Sequence, residues 1–319
     1  MLLAVMIDAS GATLGHAAAR SQRTQLPLCV LHGNCQAESL RVLLERSPTF
    51  CSAFRTLALP AVHEATADDV PRIRRIVSRA SLVISQRVRD GYHGLAVGSH
   101  EVVQAAPADC RLVTIPALRY DGLYPFQVHV RDQRGQALPA PYSIYHDLRF
   151  IYCAAAGWSL DRSLAWLRDL APSVAGIRAL ASRARAALLA IDQEVDIRVA
   201  ERLLGPALHG RSFLTINHPT NVALAQLVSQ IHLQLNLAYQ PLLPGEDLLG
   251  EIRTPLERSV IAALELRAVP REDWTIGGCR TPVAQLLTAH LSWYAENAGL
   301  AQRAILEHEE RIGILEFSP

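Results

Sequence analysis

Short apolar runs alternate with amphipathic helical patterns from Leu28 to Leu118. Runs such as LCVLHG and SLVISQ are typical of buried strands, because their apolar residues are consecutive and lie next to turn-forming residues. The segments between them place apolar residues three and four positions apart, which is typical of helices with one buried face. This alternation predicts a parallel sheet with helices on both faces, an α/β fold.

The same pattern gives the order of the elements. The predicted strands are LCVLHG, FRTLALPAV, SLVISQ and CRLVTIPAL, and the helices between them are AESLRVLLERS, ADDVPRIRRIVSRA and VGSHEVVQAA. A turn-rich excursion is expected between Val128 and Tyr145. Beyond it, long segments with helical periodicity predict a mostly helical second half. One short apolar run, SFLTI from Ser212 to Ile216, is a candidate fifth strand.

Changes in sequence character divide the chain into three parts. Residues 1–25 form a lead-in segment, residues 26–240 an α/β catalytic core with a helical insertion, and residues 241–319 a helical C-terminal extension. The lead-in begins apolar but has no basic region and an early aspartate, so a secretory signal is not predicted. No run approaches the roughly 18 apolar residues of a membrane span, and we expect a cytoplasmic protein.

The charges nearly balance, since 31 Lys and Arg residues face 30 Asp and Glu residues and the formal net charge is +1. This balance argues against a nucleic-acid partner. The six cysteines are scattered and form no C-x-x-C pair. Their spacing therefore predicts neither a metal site nor a dense disulfide framework.

A cysteine stands where the first predicted strand turns into the first helix, in the sequence Gly33-Asn34-Cys35-Gln36. Such turns favour Gly, Asn, Asp and Ser, so a thiol there either fills space or does chemistry. Unpaired N–H groups at a helix start stabilise a thiolate and lower its pKa. The polar neighbours favour a catalytic Cys35, with Gly33, Asn34 and Gln36 as candidates to bind an oxyanion or the substrate.

A nucleophilic cysteine needs a base, and His218 in TINHPTN is the best candidate among the 12 histidines. It follows the candidate fifth strand and precedes a predicted helix start. Asn217 and Asn221 flank it as orienting or substrate-binding groups. The alternative is a capped helix start with a surface histidine, and sequence spacing alone does not place His218 beside Cys35.

The loop after the third strand, SQRVRDGYHGL, carries polar side chains at the edge of the sheet where ligands bind. Arg87 and Arg89 suit a phosphate or diphosphate, and a solvated loop is the alternative. The other cofactor-binding candidates of this loop are Gln86, Tyr92 and His93, and His93 is also a weaker candidate for the base. Tyr120, after the fourth strand, is a candidate to stack on or hydrogen-bond a sugar or adenine, or it shapes a turn.

Four motifs, HGNCQAESL, SQRVRDGYHGL, IPALRYDGLYP and TINHPTN, occur in the order found in the WcbI-type polysaccharide biosynthesis acetyltransferases. The chain resembles this family from Leu28 to about Leu237. The resemblance implies a three-layer α/β fold distantly like the SGNH hydrolases, with Cys35 in place of their serine and His218 in place of their histidine base. It also implies transfer of an acetyl group from acetyl-coenzyme A to a sugar hydroxyl of a capsule or related polysaccharide. The third-strand loop departs from the expected Gln-Pro type start.

Two routes fit this chemistry. Cys35 accepts the acetyl group and His218 then activates the sugar, or His218 activates the sugar directly and Cys35 is only a neighbour. The expected partners are acetyl-coenzyme A, a sugar or polysaccharide acceptor and, peripherally, membrane-bound glycan-synthesis machinery, with no metal. The alternatives are a Cys-His esterase or deacetylase acting on glycans and a non-catalytic glycan-assembly protein.

Overall fold

A computed structural model of the chain describes residues 26–132, 135–240 and 242–317, and the predicted lead-in segment 1–25 lies outside them. Contacts divide the chain into two compact units. The first unit ends at Ile115 but also takes in Val228–Leu242, and the second takes in Pro116–Leu227 and the chain from Leu243 onward. The three predicted domains rest on changes in sequence composition, not on contacts, and they stay a prediction.

Up to Ile115 the described chain alternates strands and helices, as predicted. The elements are β1 (Leu28–His32), α1 (Cys35–Glu45), α2 (Pro48–Ala53), β2 (Arg55–Leu57), α3 (Asp69–Val77), β3 (Leu82–Gln86), α4 (Ser99–Val103) and β4 (Arg111–Ile115). A single 3₁₀ turn at Tyr92–Gly94 lies between β3 and α4. The short helix α2 is an addition to the predicted pattern, and it begins with Pro48 after the capping residue Ser47.

The four strands form one parallel sheet in the order β2-β1-β3-β4. The predicted α/β fold with a parallel sheet is therefore confirmed. Every residue of β1 and β3 is buried, as expected for the central strands of a sheet covered on both faces. His32 pairs with Ser85, so the residues that follow them, Gly33 and Gln86, are neighbours at the carboxyl edge of the sheet.

One face of this sheet packs against α3 and α4. Val30 and Val83 of the central strands contact Ile73 and Val77 of α3 and Val102 of α4 in one buried cluster. Ile73 and Val77 lie four residues apart, so they share one face of their helix. This packing fixes the strands whose carboxyl ends carry the Gly33–Gln36 turn.

From Pro116 onward the chain is mostly helical, as predicted. The elements are β5 (Gln127–Val128), β6 (His146–Asp147), α5 (Leu148–Ala155), α6 (Leu160–Asp169), α7 (Val174–Gln193), α8 (Ala200–Leu203), α9 (Asn221–Gln234), β7 (Ile252–Arg253), α10 (Arg258–Ala263), β8 (Trp274–Ile276), β9 (Cys279–Thr281), α11 (Val283–Glu296), α12 (Leu300–Glu307) and α13 (Glu309–Leu315). A 3₁₀ turn spans His209–Arg211. The antiparallel pair of β5 and β6 confirms the predicted excursion.

The structure differs from the predicted pattern in two places. The candidate fifth strand in Ser212–Ile216 is wrong, because Phe213 makes only an isolated bridge with Pro219 and the segment folds back on itself. The chain also contains a three-stranded antiparallel sheet, β7-β8-β9, that was not predicted. The turn between β8 and β9 is Gly277-Gly278, with positive φ angles of 56° and 76° that suit a tight hairpin.

Candidate functional site

Cys35 is the first residue of α1, at the predicted strand-to-helix turn. Asn34 caps the helix, because its side-chain Oδ1 accepts the Gln36 N–H at 2.9 Å. The Asn34 carbonyl accepts the N–H of Ala37, also at 2.9 Å. This cap fixes the direction of the helix start and with it the position of the thiol.

The buried amide of Gln86 holds the same turn. Its Oε1 accepts the Asn34 N–H at 2.9 Å, and its Nε2 donates to Gln36 Oε1 at 3.1 Å. A Cβ added to Gly33 would lie 2.4 Å from Gln86 Oε1, so only glycine permits this approach. Gln86 was predicted to bind the cofactor, but its side chain is engaged with the turn. We assign it to positioning.

The electrostatics of Cys35 differ from the prediction. Burial raises the pKa of the thiol, the carboxylate of Glu64 raises it further, and the backbone N–H groups of Cys35 and Gln36 lower it. The raising effects are larger, so the predicted lowering of the pKa is wrong for this structure. The helix start supplies donors to the sulfur, but removal from water outweighs them, and the thiol is neutral near pH 7.

His32 lies next to the turn but serves the sheet. Its Nδ1 lies 3.0 Å from Ser85 Oγ and its Nε2 lies 3.0 Å from the carbonyl oxygen of Val97. Burial lowers its pKa to about 4, so the ring is neutral and donates from Nε2 to that carbonyl. His32 therefore links β1, β3 and the residues before α4.

The loop after β3 presents the predicted phosphate-binding residues Arg87 and Arg89 at the surface. The Arg89 guanidinium lies 5.9 Å from the centre of the Tyr92 ring, and the Tyr92 and His93 rings meet edge to face at 4.3 Å. The Glu101 carboxylate accepts two backbone N–H groups of the loop, at 2.8 and 3.1 Å. The loop is anchored, and its cofactor-binding role stays a prediction.

In the second unit, His218 lies on a tight turn closed by the bridge between Phe213 and Pro219. The His218 carbonyl accepts the N–H of Leu214 at 2.8 Å, and the His218 N–H donates to Thr215 Oγ1 at 3.0 Å. The backbone of His218 is thus held on both sides. The helix α9 begins three residues later, which confirms the predicted helix start.

Tyr145 packs against His218, a contact that the sequence does not indicate. The two rings meet edge to face with centroids 5.8 Å apart, and Tyr145 also stacks on His129 at 5.4 Å. The buried Tyr145 hydroxyl donates to Asn217 Oδ1 and accepts from Thr215 Oγ1 at 3.2 Å. Asn217 and His218, predicted to act together, are therefore connected through one tyrosine.

Asn221 has a structural role in place of the predicted substrate contact. It is 3% exposed, its backbone N–H donates to Asp247 Oδ1 at 2.8 Å, and its side-chain Nδ2 donates to the carbonyl oxygen of Glu246 at 2.6 Å. Its Oδ1 accepts the N–H of Leu248 at 3.0 Å. Both ends of the amide thus hold residues 246–248, and we do not include Asn221 among substrate-binding groups.

Tyr120 is also engaged in packing. Its side chain is 1% exposed, it packs on Phe213, and its hydroxyl lies 2.7 Å from His209 Nε2. Burial lowers the pKa of His209 to about 4, so the neutral ring accepts this hydrogen bond. No face of the Tyr120 ring is left for a sugar or adenine, and we remove it from the cofactor candidates.

Cys35 belongs to the first unit and His218 to the second. That they share a cleft stays a prediction. Within residues 26–132, 135–240 and 242–317, no group of three or more His, Cys, Asp and Glu side chains is arranged to hold a metal ion. In the same residues no helix has both the length and the apolar character that a bilayer crossing requires.

Together, the elements and the parallel sheet define an α/β protein with a thiol at the carboxyl edge of the sheet, and a ligand site at this strand-to-helix turn stays a prediction. Residues 28–240, more than half of the chain, match the family described as "Polysaccharide biosynthesis enzyme WcbI". The chain belongs to this family, which confirms the resemblance. The further likeness to SGNH hydrolases stays a prediction.

A solved structure of WcbI has the same fold, with a TM-score of 0.75 and 17% sequence identity over 92% of this chain and 99% of that one. It is described as a novel polysaccharide biosynthesis enzyme, in its native form without a disulfide bond between coenzyme A and one of its cysteines. At this identity the likeness is evidence of fold alone. No curated protein sequence matches the chain.

Proposed function

We propose that this enzyme of polysaccharide biosynthesis transfers an acetyl group from acetyl-coenzyme A to a sugar hydroxyl. The observation that carries the proposal is Cys35 at the start of α1, where the backbone N–H groups of Cys35 and Gln36 act to lower the pKa of the thiol. Support also comes from the family, in which one solved protein is described by reference to coenzyme A and a cysteine. Two thiols that can be joined in a disulfide must be able to approach each other closely.

In this proposal the thioester of acetyl-coenzyme A lies beside Cys35. The backbone N–H of Cys35 is our candidate donor to the oxygen of the thioester carbonyl, because that oxygen gains negative charge as the acceptor attacks, whereas Asn34 already holds the N–H of Gln36. The guanidinium groups of Arg87 and Arg89 are our candidates for the phosphates of the cofactor. Oxyanion donors of this kind contribute about 10²–10³-fold to the rate.

The neutral thiol favours the direct route over the covalent one. His218 takes the proton of the sugar hydroxyl while the oxygen of that hydroxyl attacks the thioester carbonyl. The carbon–sulfur bond of the thioester then breaks. Coenzyme A leaves with the proton that His218 held, so the histidine returns to its neutral form. In the covalent route Cys35 must lose its proton first, which burial and Glu64 oppose. General base catalysis of this type contributes about 10²–10⁴-fold.

The proposal is tested by combining a binding and a transfer measurement. Coenzyme A at about 100 times its dissociation constant should stabilise the protein by about 2–3 kcal/mol in thermal unfolding. Labelled acetyl-coenzyme A should pass its acetyl group to a glycan acceptor, and His218→Ala should lower the rate about 10²–10⁴-fold while leaving the stabilisation unchanged.

The controls separate the alternatives. His100→Ala removes an exposed histidine outside the candidate site and should transfer at the wild-type rate. Cys35→Ala should stay within about tenfold of wild type in the direct route, whereas a loss as large as that of His218→Ala would favour the covalent route. Hydrolysis of glycan esters without stabilisation by coenzyme A would contradict the proposal in favour of an esterase. Normal transfer by His218→Ala would contradict the role of the histidine.

A further inference from the structure

The second unit contains a cavity of about 320 Å³ that has no role in the reaction proposed above. One wall is an apolar stripe of α7, formed by Leu180, Ala184, Ala187 and Ile191. These residues recur every three or four positions, so they lie on one face of the helix. The volume is at the lower end of the range of ligand pockets, roughly 300–1,000 Å³, and suits one or two sugar rings better than a whole coenzyme A.

The charged rim of the cavity has an excess of positive charge. Arg311 is paired with Asp121, and Arg183 is paired with Glu310 at 2.6 Å. The remaining guanidinium, that of Arg119, makes no hydrogen bond or ion pair with any residue that the structure describes. Three arginines thus face two carboxylates, and Arg119 is available to an anion.

Arg119 also lies close to the residues around His218. The N–H of the next residue, Tyr120, donates to the Ile216 carbonyl at 2.8 Å, on the turn that carries His218. Burial and then the charge of Arg119 lower the pKa of His129, whose ring stacks on Tyr145. An anion held by Arg119 would therefore lie beside the ring cluster that packs against His218.

We propose that this cavity binds the acceptor and that the acceptor is an acidic sugar, with a carboxylate or phosphate on Arg119. A planar guanidinium binds either group through two parallel hydrogen bonds, and the C–H face of a sugar ring packs on the apolar stripe of α7. This inference rests on the proposed function. It adds that the acceptor is anionic and that Arg119 selects it.

The test measures binding of three small probes by saturation-transfer NMR and titration. Glucuronate and glucose 1-phosphate distinguish a carboxylate from a phosphate, and glucose is the neutral control. At least one anionic probe should bind wild type, and Arg119→Gln should weaken it roughly ten- to a hundredfold, the value of a charged hydrogen bond. Arg119→Lys should restore part of the binding, and Arg168→Gln, on the exposed surface of α6, should change nothing.

A second variant tests the cavity without changing its charge. Ala187 is exposed on the lining, so Ala187→Leu should fill the space without disturbing a buried core, and it should weaken the same probe. Equal binding of glucose and the anions, or unchanged binding in Arg119→Gln, would overturn the inference.

Coenzyme A binding is measured in parallel and should be the same in every variant. Its loss in Arg119→Gln alone would assign the cavity to the cofactor, and its absence in wild type would count against the proposed function instead.

Discussion

Three hydrogen-bonding groups orient the turn that carries His218. The ring of Tyr145 packs against the imidazole of His218, and the Tyr145 hydroxyl donates to Asn217 Oδ1. The Thr215 hydroxyl accepts the backbone N–H of His218. A general base acts well only when its ring is held toward the proton it removes. We therefore regard Tyr145 as a positioning residue of the proposed reaction.

Tyr145→Phe tests this role, because it keeps the ring and removes only the hydroxyl. We expect kcat for acetyl transfer to fall about tenfold, the value of roughly one hydrogen bond, with KM for acetyl-coenzyme A unchanged. Tyr142→Phe is the matched control, since Tyr142 is 42% exposed. A variant with normal kcat, or with a raised KM alone, would show that the hydroxyl does not position the base.

At the scale of elements, the strand-to-helix turn of β1 and α1 depends on the close packing of Gly33 against Gln86. Gly33→Ala should force the Gln86 amide away and disturb its hydrogen bonds to Asn34 and Gln36. We expect the free energy of unfolding to fall by about 1–3 kcal/mol, measured by urea denaturation.

Gly313→Ala is the control for this substitution. Gly313 lies in α13, and nothing is within 4 Å of a Cβ built there. Alanine favours the helix over glycine by about 0.5–1 kcal/mol, so this variant should be as stable as wild type or more so. Equal effects of the two substitutions would mean that the approach of Gln86 does not constrain the turn.

Local sequence signals account for the elements that could be predicted. The buried strands β1 and β3 depend on neighbouring residues, so the pattern of apolar residues and turn formers indicates them. The Phe213 segment has a strand-like composition, but tertiary contacts fold it back on itself, which composition does not reveal. The same holds for the contact of Tyr145 with His218, because the two residues come from distant segments. The neutral thiol of Cys35 was missed because burial is a property of the folded chain.

At the scale of the whole molecule, buried histidines make stability depend on pH. Burial is the main cause that lowers the pKa of five of them, to about 4 for four and to about 3 for one: His32, His129, His146, His209 and His290. As the pH falls, these histidines bind protons near pH 6.5 in the unfolded chain, and only at a lower pH in the folded chain. The free energy of unfolding should therefore be greatest above about pH 6.5 and decrease as the pH falls toward 4.

Urea unfolding at about pH 7.5 and about pH 5 measures this dependence. His290→Leu removes one buried imidazole and should reduce the difference between the two pH values by up to about 2 kcal/mol. His100→Gln replaces an exposed histidine and should keep the wild-type difference. A wild-type protein equally stable at both values would show that these rings are accessible to protons in the folded state.

The proposed function requires, before anything else, that the thiol end of coenzyme A reaches Cys35. The protein is incubated with oxidised coenzyme A at alkaline pH, because burial raises the pKa of the Cys35 thiol and disulfide exchange needs the thiolate, and it is then digested and mapped by mass spectrometry, with Cys279 as the exposed internal reference. We expect an adduct at Cys35 that saturates with concentration and that acetyl-coenzyme A suppresses, because binding raises the local concentration of the disulfide. Any adduct at Cys279 should not respond to acetyl-coenzyme A. Absence of an adduct at Cys35, or equal suppression at both cysteines, would contradict the placement of the cofactor and with it the acetyltransferase.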